Sequence, residues 1–139
     1  MKANRTLILN ALLIVILFVS CSSPSDSTNE SPLSEQQIIG TPIKIGNFEV
    51  AKNDFPKKMT WYKAKKACTD LGKGWRLPTK DELNLMFENK DIIDGFSNYY
   101  YWSSTEMSNY GAWGQSFNFG YQNDYGKHDY SYVRAVRSF

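Results

Sequence analysis

The chain is poor in the residues on which catalysis and covalent stabilisation most depend. It has two cysteines, Cys21 and Cys68, and a single histidine, His128. If Cys21 is modified, as argued below, one thiol remains, and one thiol cannot close an intrachain disulfide. The fold must then be held by packing alone, which a chain of about 90 residues can do by burying somewhat more than 60% of its unfolded surface. A zinc site needs several nitrogen or sulfur ligands, and a catalytic triad needs a nucleophile and an orienting group beside the histidine. His128 stands alone in a polar stretch and reads as a surface residue. Calcium needs six to eight oxygen ligands, and the loop-like C-terminal part offers only Asp124 and Asp129 as close carboxylates. No metal and no cofactor is implied.

Charge of one sign is also lacking. Without Lys2 and Arg5 the chain has 14 basic and 14 acidic residues, which gives no argument for nucleic acid. The one long apolar run, Leu7 to Val19, is interrupted by Asn10. It follows Lys2 and Arg5 and ends at Ser20 and Cys21. That three-part layout is a secretory signal, too short and wrongly flanked for a transmembrane helix. The run Leu17, Phe18, Val19, Ser20, Cys21 resembles the lipobox of bacterial lipoproteins. The resemblance implies cleavage before Cys21 and lipidation of that residue, with residues 1–20 removed. Ser22, rather than Asp, resembles the rule for outer-membrane sorting. Residues 22–38 are rich in Ser, Pro, Asn, Asp, Glu and Gln and cannot support a core, so 21–38 reads as a lipidated cysteine and flexible tether.

The folded domain is expected over 39–139. Ile43, Ile45, Phe48 and Val50 suggest a strand or hairpin, with Gly46 and Asn47 as its turn. Thr60 is a plausible N-cap and Gly72 a plausible stop for a first helix. Between them Trp61, Ala64, Ala67, Cys68 and Leu71 share one stripe at helical spacing, with Lys63, Lys66 and Asp70 opposite. Cys68 therefore faces the core and behaves as a small hydrophobe. A second helix follows Pro78, opened by the capping box of Thr79 and Glu82 and burying Leu83, Met86 and Phe87. Eight of the nine tyrosines then fall between Tyr99 and Tyr132 among Ser, Asn, Gly and Asp. That texture suits short antiparallel strands joined by polar loops. The last strand, near Val136, is expected to pair inside the sheet.

The stretch from Met59 to Leu83, with its block Trp75, Arg76, Leu77, Pro78, Thr79, resembles the C-terminal domain family of the Legionella collagen-like adhesin (Lcl). Tyr101 to Glu106, Ala112 with Trp113, and Val133 to Arg137 share the resemblance, and the Fibrobacter major paralogous domains are close relatives. The likeness covers roughly residues 47–139. It implies an α+β, C-type-lectin-like fold: two helices flanking a small irregular antiparallel sheet, with ligand contacts on long polar loops. It also implies surface adhesion to glycans and no enzymatic activity. Trp61, Trp75, Arg76, Leu77, Pro78, Glu82, Trp102, Glu106, Trp113, Arg134 and Arg137 look like framework, the arginines paired with glutamates. The triplets by which calcium-dependent lectins of this fold hold their ion are absent. So is the C-terminal cysteine pair of the formylglycine-generating enzymes, which share an Arg-Leu-Pro-Thr block.

Tyrosine offers a rigid apolar face and a hydroxyl at little entropic cost, and Ser, Gly and Asn add adaptable hydrogen bonding, the composition of binding loops. The expected ligand-binding set lies in the stretch Asn118 to Tyr132. It comprises Asn118, Tyr121, Asn123, Asp124, Tyr125, His128, Asp129 and Tyr130, joined by Ser108, Asn109 and Tyr110. Packing of a small sheet accounts equally well for many of these tyrosines. Some proteins of this fold are diversified at adenine-containing codons, which yield Asn, Tyr, Asp, Ser and His, so a diversified surface adhesin is one expectation. The seven lysines from Lys52 to Lys73 form a competing surface, either a solvated helix face or a patch for anionic polymers. The expected partners are a membrane, through the lipid anchor, and a glycan or protein ligand. A structural or assembly lipoprotein packing through the same aromatic surface is the alternative.

Overall fold

The computed structural model describes residues 33–139. The expected signal segment, the expected lipidation site at Cys21 and most of the expected tether lie outside them. Among the described residues no helix is long and apolar enough to cross a membrane.

The order of elements is α1 (Glu35–Ile39), β1 (Ile43–Ile45), β2 (Phe48–Val50), α2 (Trp61–Asp70), α3 (Lys80–Glu88), α4 (Lys90–Ile93), β3 (Tyr100–Glu106), β4 (Gly111–Ser116), β5 (Gln122–Gly126) and β6 (Val136–Ser138). Helix α1 spans the end of the stretch read as tether, 21–38, and Ile39, where the domain was expected to begin. Its signal is short: Ser34 caps the helix, the Gln37 side chain completes a capping box, and Ile38 is the one residue it buries. A five-residue helix cannot stand on propensity alone. It is held by docking, with the Lys52 amide donating to Ile39 O at 2.9 Å and the Asn53 amide to Ile38 O at 3.1 Å.

The expected stripe forms α2, burying Trp61, Ala64 and Cys68. Thr60 occupies its N-cap without a side-chain cap bond, and Gly72 follows it at φ +67°. Burial pushes the Cys68 thiol far up, so it is an inert core group. Thr79 and Glu82 form the reciprocal capping box of α3, which buries Leu83 and Met86.

Two antiparallel three-stranded sheets form instead of one, with orders β1-β2-β6 and β3-β4-β5. Gly46, at φ +56°, and Asn47 turn β1 into β2 as expected. Strand β6 pairs with β2 and ends that sheet, but Val136 also bridges Arg76 on its other side, exchanging two backbone hydrogen bonds of 2.9 Å. Residues 131–135 stitch the sheets together. Tyr132 exchanges backbone bonds with Tyr100 and Trp102, while Val133 O and Ala135 O accept from Phe55 and Ala51.

The core has two parts. Trp61, Cys68, Trp75, Leu77, Trp102 and Val133 centre one, and Phe48, Leu83, Met86, Tyr101, Phe117 and Val136 centre the other. Each large apolar side chain buried in them contributes about 1.5–3 kcal/mol. Arg134, fully buried, joins distant segments. Its Nε pairs with Asp54, Nη1 donates to Lys52 O at 2.7 Å, and Nη2 donates to Gly95 O at 2.8 Å. Asp54 also accepts from the Tyr101 hydroxyl, and that hydroxyl accepts from the Ser97 amide at 2.7 Å. Burial pushes the Asp54 carboxyl above its usual range, against the opposing pull of the Arg134 guanidinium.

Candidate functional site

The register of β3-β4-β5 decides what faces outward. Trp102 pairs with Gly114 and Gly114 with Asn123; Ala112 pairs with Tyr125; Tyr100 pairs with Ser116. These residues share one face, since partners and every second residue point the same way. Gln115 with Gln122 and Trp113 with Asp124 share the other face. Strand β5 pairs with β4 alone, so its side chains have packed neighbours on one flank only.

Trp102 and Ala112 on the first face are fully buried, and beside them, from Tyr125 and Tyr100 outward, runs a continuous strip of aromatic rings. Phe119 stacks on Tyr121 (centroids 6.0 Å apart, planes 9° apart), and Tyr121 meets Tyr100 at 6.1 Å. Tyr100 touches Tyr125 at 4.8 Å and Tyr99 at 5.5 Å, and Tyr99 reaches Tyr132 at 6.0 Å. Such pairs each contribute about 0.5–1.5 kcal/mol beyond buried area. Lys58 Nζ sits 3.3 Å from the Tyr99 ring centroid, a cation–π contact that closes the strip at one end. Phe119 is 72% exposed, and Tyr99 and Tyr121 are each 45% exposed. Scattered single exposures need no explanation, but a contiguous aromatic row does. The Tyr100 and Tyr121 hydroxyls hydrogen-bond to each other, which raises the Tyr121 hydroxyl above its ordinary range.

Two glycines explain why the rings lie there. A Cβ at Gly114 would come within 3.0 Å of Tyr101 O and 3.1 Å of the Tyr125 ring, so this glycine lets Tyr125 lie flat over the sheet. Gly120, at φ +86°, would place a Cβ 2.6 Å from the Phe87 ring. Phe87 of α3 thus presses on the β4–β5 turn, and a chain without a side chain at 120 can pass it. That turn presents Phe119 on one side and Tyr121 on the other.

The expected ligand-binding residues do not form one site. Tyr121, Tyr125 and Asn123 belong to the strip face, with Asn118 exposed in the adjoining turn. Asp124 lies on the opposite face across from Trp113, whose ring is covered by Lys80 Nζ at 3.3 Å. Ser108, Asn109, Tyr110, His128, Asp129 and Tyr130 gather at the other end of the sheet. There the Ser108 hydroxyl accepts from the Tyr110 and Gly111 amides, and the Asp129 amide donates to Gly126 O at 2.8 Å. His128 lies 6.0 Å from the Tyr62 ring. This end is organised by Lys127, only 2% exposed, whose ammonium donates to Glu106 at 2.5 Å and to Asn109 O at 3.1 Å over the Trp61 ring. Burial of a lysine demands such partners.

Sequence reasoning missed Tyr99, Tyr100, Phe119, Tyr132 and Lys58. Alternation alone could not have found them, since Trp102 on the face of Tyr100 and Tyr101 on the other are both buried; what leaves Tyr100 half-exposed is its place at the start of β3, beyond the ring of Trp102. The framework residues fall as paired or packed groups. Arg76 grips Glu82 bidentately at 2.7 and 2.8 Å, and Arg137 holds Glu49. Burial opposes ionisation of Glu82, yet the bonds from Arg76 and Thr79 prevail and hold its carboxyl below the usual range. The expected arginine–glutamate pairing does not extend further: Arg134 takes Asp54 and Glu106 takes Lys127. Trp61 and Trp102 donate their indole N–H groups to Ser103 O and Met59 O, both at 2.8 Å. Leu77 and Pro78 are buried. The lysine run is dispersed, with Lys66 paired to Asp70, Lys65 over Trp61 and Lys58 over Tyr99.

Two helices against short antiparallel strands, with exposed turns at both sheet ends, define a C-type-lectin-like fold. Botrocetin shares it, with a TM-score of 0.54 at 10% identity, the match covering 70% of this chain and 96% of that one. A chain of the complex between botrocetin and a mutant von Willebrand factor A1 domain matches with a TM-score of 0.51 at 11% identity, over the same shares. The chain belongs to the family of the Lcl C-terminal domain, whose model matches residues 34–137. No curated protein matches the sequence.

Proposed function

We propose that this chain is a non-enzymatic binding lipoprotein, anchored through lipid on Cys21 at the outer membrane, whose C-type-lectin-like domain takes a glycan or protein ligand on its aromatic strip. One observation carries the reading: a contiguous row in which exposed Phe119, Tyr121 and Tyr99 are joined through half-buried Tyr100, outside the two core clusters. Rings of this kind stack on sugar faces and anchor protein interfaces, where a few aromatics supply most of the binding energy. The hydroxyls of the strip and Asn123 beside it give the directional contacts that a stacking surface alone lacks. Phe119 and Asn118 in the turn, with Tyr121 and Asn123 beyond it, can change without disturbing Trp102 or Arg134, which suits a diversified adhesin.

Botrocetin, of the same fold, is found in complex with the von Willebrand factor A1 domain, which lends weight to a protein ligand. The second reading, an envelope assembly subunit, draws on the same strip as a packing surface.

The test is a binding screen of the purified protein on arrayed glycans and sulfated polysaccharides, with and without calcium, beside the double variant Phe119→Ala/Tyr121→Ala. Loss of two exposed anchors is expected to weaken binding at least tenfold, while the two ring pairs lost cost about 1–3 kcal/mol of stability and leave the domain folded. Binding that survives the double change moves the site off the strip. Crosslinking to an envelope protein with no soluble ligand supports the assembly reading.

A further inference from the structure

A cavity of about 370 Å³ opens where α4 ends and the chain turns toward β3. Lys90, Asp91, Asp94, Phe96 and Asn98 are on its wall, with the Phe117 ring 4.4 Å from that of Phe96. The loop that forms it is fastened from the core side. Lys52 Nζ donates to Ile93 O at 3.2 Å, Arg134 Nη1 to Asp94 O at 3.4 Å and Arg134 Nη2 to Gly95 O at 2.8 Å. The Ser97 amide donates to the Tyr101 hydroxyl at 2.7 Å. Three successive carbonyls are thus taken by cations, while the amides of Gly95, Phe96 and Asn98 donate to nothing among the described residues.

Asp94 is the outlier in this loop. Its backbone lies at φ +63° and ψ 169°, a region open in practice only to glycine and costly for any other residue. The side chain does nothing for the fold: it is exposed, and its carboxylate enters no ion pair or hydrogen bond among the described residues. The exposed side chains of Asp91 and Asn98 are equally free among the described residues. Strained residues of this kind persist where a ligand is clamped. Here the strain keeps an aspartate on the wall of a cavity whose acids and amides are all unengaged.

We propose that this cavity binds a neutral polyol of about one sugar ring. Its hydroxyls donate to Asp91 and Asp94 and accept from the Asn98 amide and the free backbone N–H groups, with Phe96 against its carbon face. The mixture of groups selects this class. A hydroxyl both donates and accepts, and so matches a wall that offers both. An anion would meet two carboxylates. An ammonium would leave the N–H donors without acceptors and would meet the ammonium of Lys90, which is held on Phe117 O at 3.3 Å. The volume lies at the low end of the range for ligand pockets, about 300–1,000 Å³, which bounds the ligand to a single ring. The site is separate from the aromatic strip, since Phe96 and Phe117 pack on Tyr101, which alternates in β3 with Tyr100 of the strip.

The test is titration of the ¹⁵N-labelled protein with the methyl glycosides of glucose, galactose and mannose, each beside its uronide and its 2-amino counterpart. The amide signals of Gly95, Phe96 and Asn98 are expected to move saturably with at least one neutral glycoside, while those of Tyr121 and Asn123 on the strip stay in place. The uronide of the same sugar is expected to bind at least tenfold more weakly, and the amino sugar no more tightly. Asp94→Gly gives the sharpest contrast. It relieves the strained backbone, so Tm should rise, yet it removes a carboxylate, so Kd should rise about tenfold. Asp91→Asn, which leaves the backbone alone, should raise Kd by a smaller factor. Loop signals that follow no neutral glycoside overturn the proposal, as does tighter binding of the amino sugar or a Kd unchanged in both variants. Shifts confined to Tyr121 and Asn123 overturn it while leaving the reading of the strip intact. A lower Tm in Asp94→Gly would show that the aspartate serves the fold and would overturn the argument from strain.

Discussion

Asp54→Ala removes the carboxylate that Arg134 and Tyr101 share and exposes how much the buried Arg134 depends on it. In the native fold the carboxylate takes Arg134 Nε on one oxygen and the Tyr101 hydroxyl on the other. The substitution leaves a fully buried guanidinium with only carbonyl partners and strands the hydroxyl donor. Breaking a buried pair in this way costs about 3–5 kcal/mol, a large share of the roughly 5–15 kcal/mol that holds a domain together. With a urea m-value of about 1–3 kcal/mol/M, the unfolding midpoint should fall by roughly 1–5 M. Asp54→Asn keeps one acceptor and nearly the same volume. Asn should therefore cost distinctly less than Ala, which leaves both donors without a side-chain acceptor. Equilibrium urea denaturation followed by tryptophan fluorescence measures both. An Ala variant within about 1 kcal/mol of the parent would refute the reasoning, since an isolated surface change costs that little. An Asn variant worse than Ala would refute the assignment of the cost to the lost acceptor.

Two further outcomes are expected. Glu82 is held below the ordinary glutamate range by Arg76 and Thr79. Its stabilising contribution is complete above the unfolded pKa of about 4.3 and is lost as pH falls through the lower folded value. Glu82→Gln should therefore flatten stability against pH below about 4.3 in acid denaturation, and an acid limb as steep as the parent's would contradict this. Cys21→Ala should leave the protein without acyl mass in intact mass spectrometry of envelope extracts, and it should release the protein from the membrane fraction. Retention in the membrane with unchanged mass would remove the anchor from the proposed function.

The helices were legible because their information is local. A stripe of Trp61, Ala64 and Cys68 and a capping box at Thr79 and Glu82 each lie within a dozen residues. Helix α1 escaped because its single buried residue, Ile38, sits in polar sequence and gains its stability from Lys52 and Asn53. The division into two sheets escaped for a different reason: β2 finds β6 almost at the end of the chain, and no local pattern encodes that pairing. The candidate site was half legible. Tyr121 and Tyr125 were found by composition. Tyr99 and Tyr100 fell outside the stretch that composition favoured, and Asp124 was assigned beside Tyr125 although strand alternation sends it to the opposite face. Lys127, in a polar run, gave no sign that it would be buried between Glu106 and Trp61.

Helix α1 also sets how the fold carries mechanical load. A force applied through the residues before Ser34 reaches α1 first, where the bonds from Lys52 and Asn53 and the burial of Ile38 resist it. Three hydrogen bonds at about 0.5–1.5 kcal/mol each yield long before a sheet does. Peeling five residues pays out roughly 17 Å of chain at about 3.3–3.6 Å per residue. The segment that takes up the strain adjoins β2, whereas the rings from Phe119 to Tyr100 stand on the β3-β4-β5 sheet. Tension is thus absorbed at an extensible end, and the strip keeps an undistorted surface while the chain is pulled.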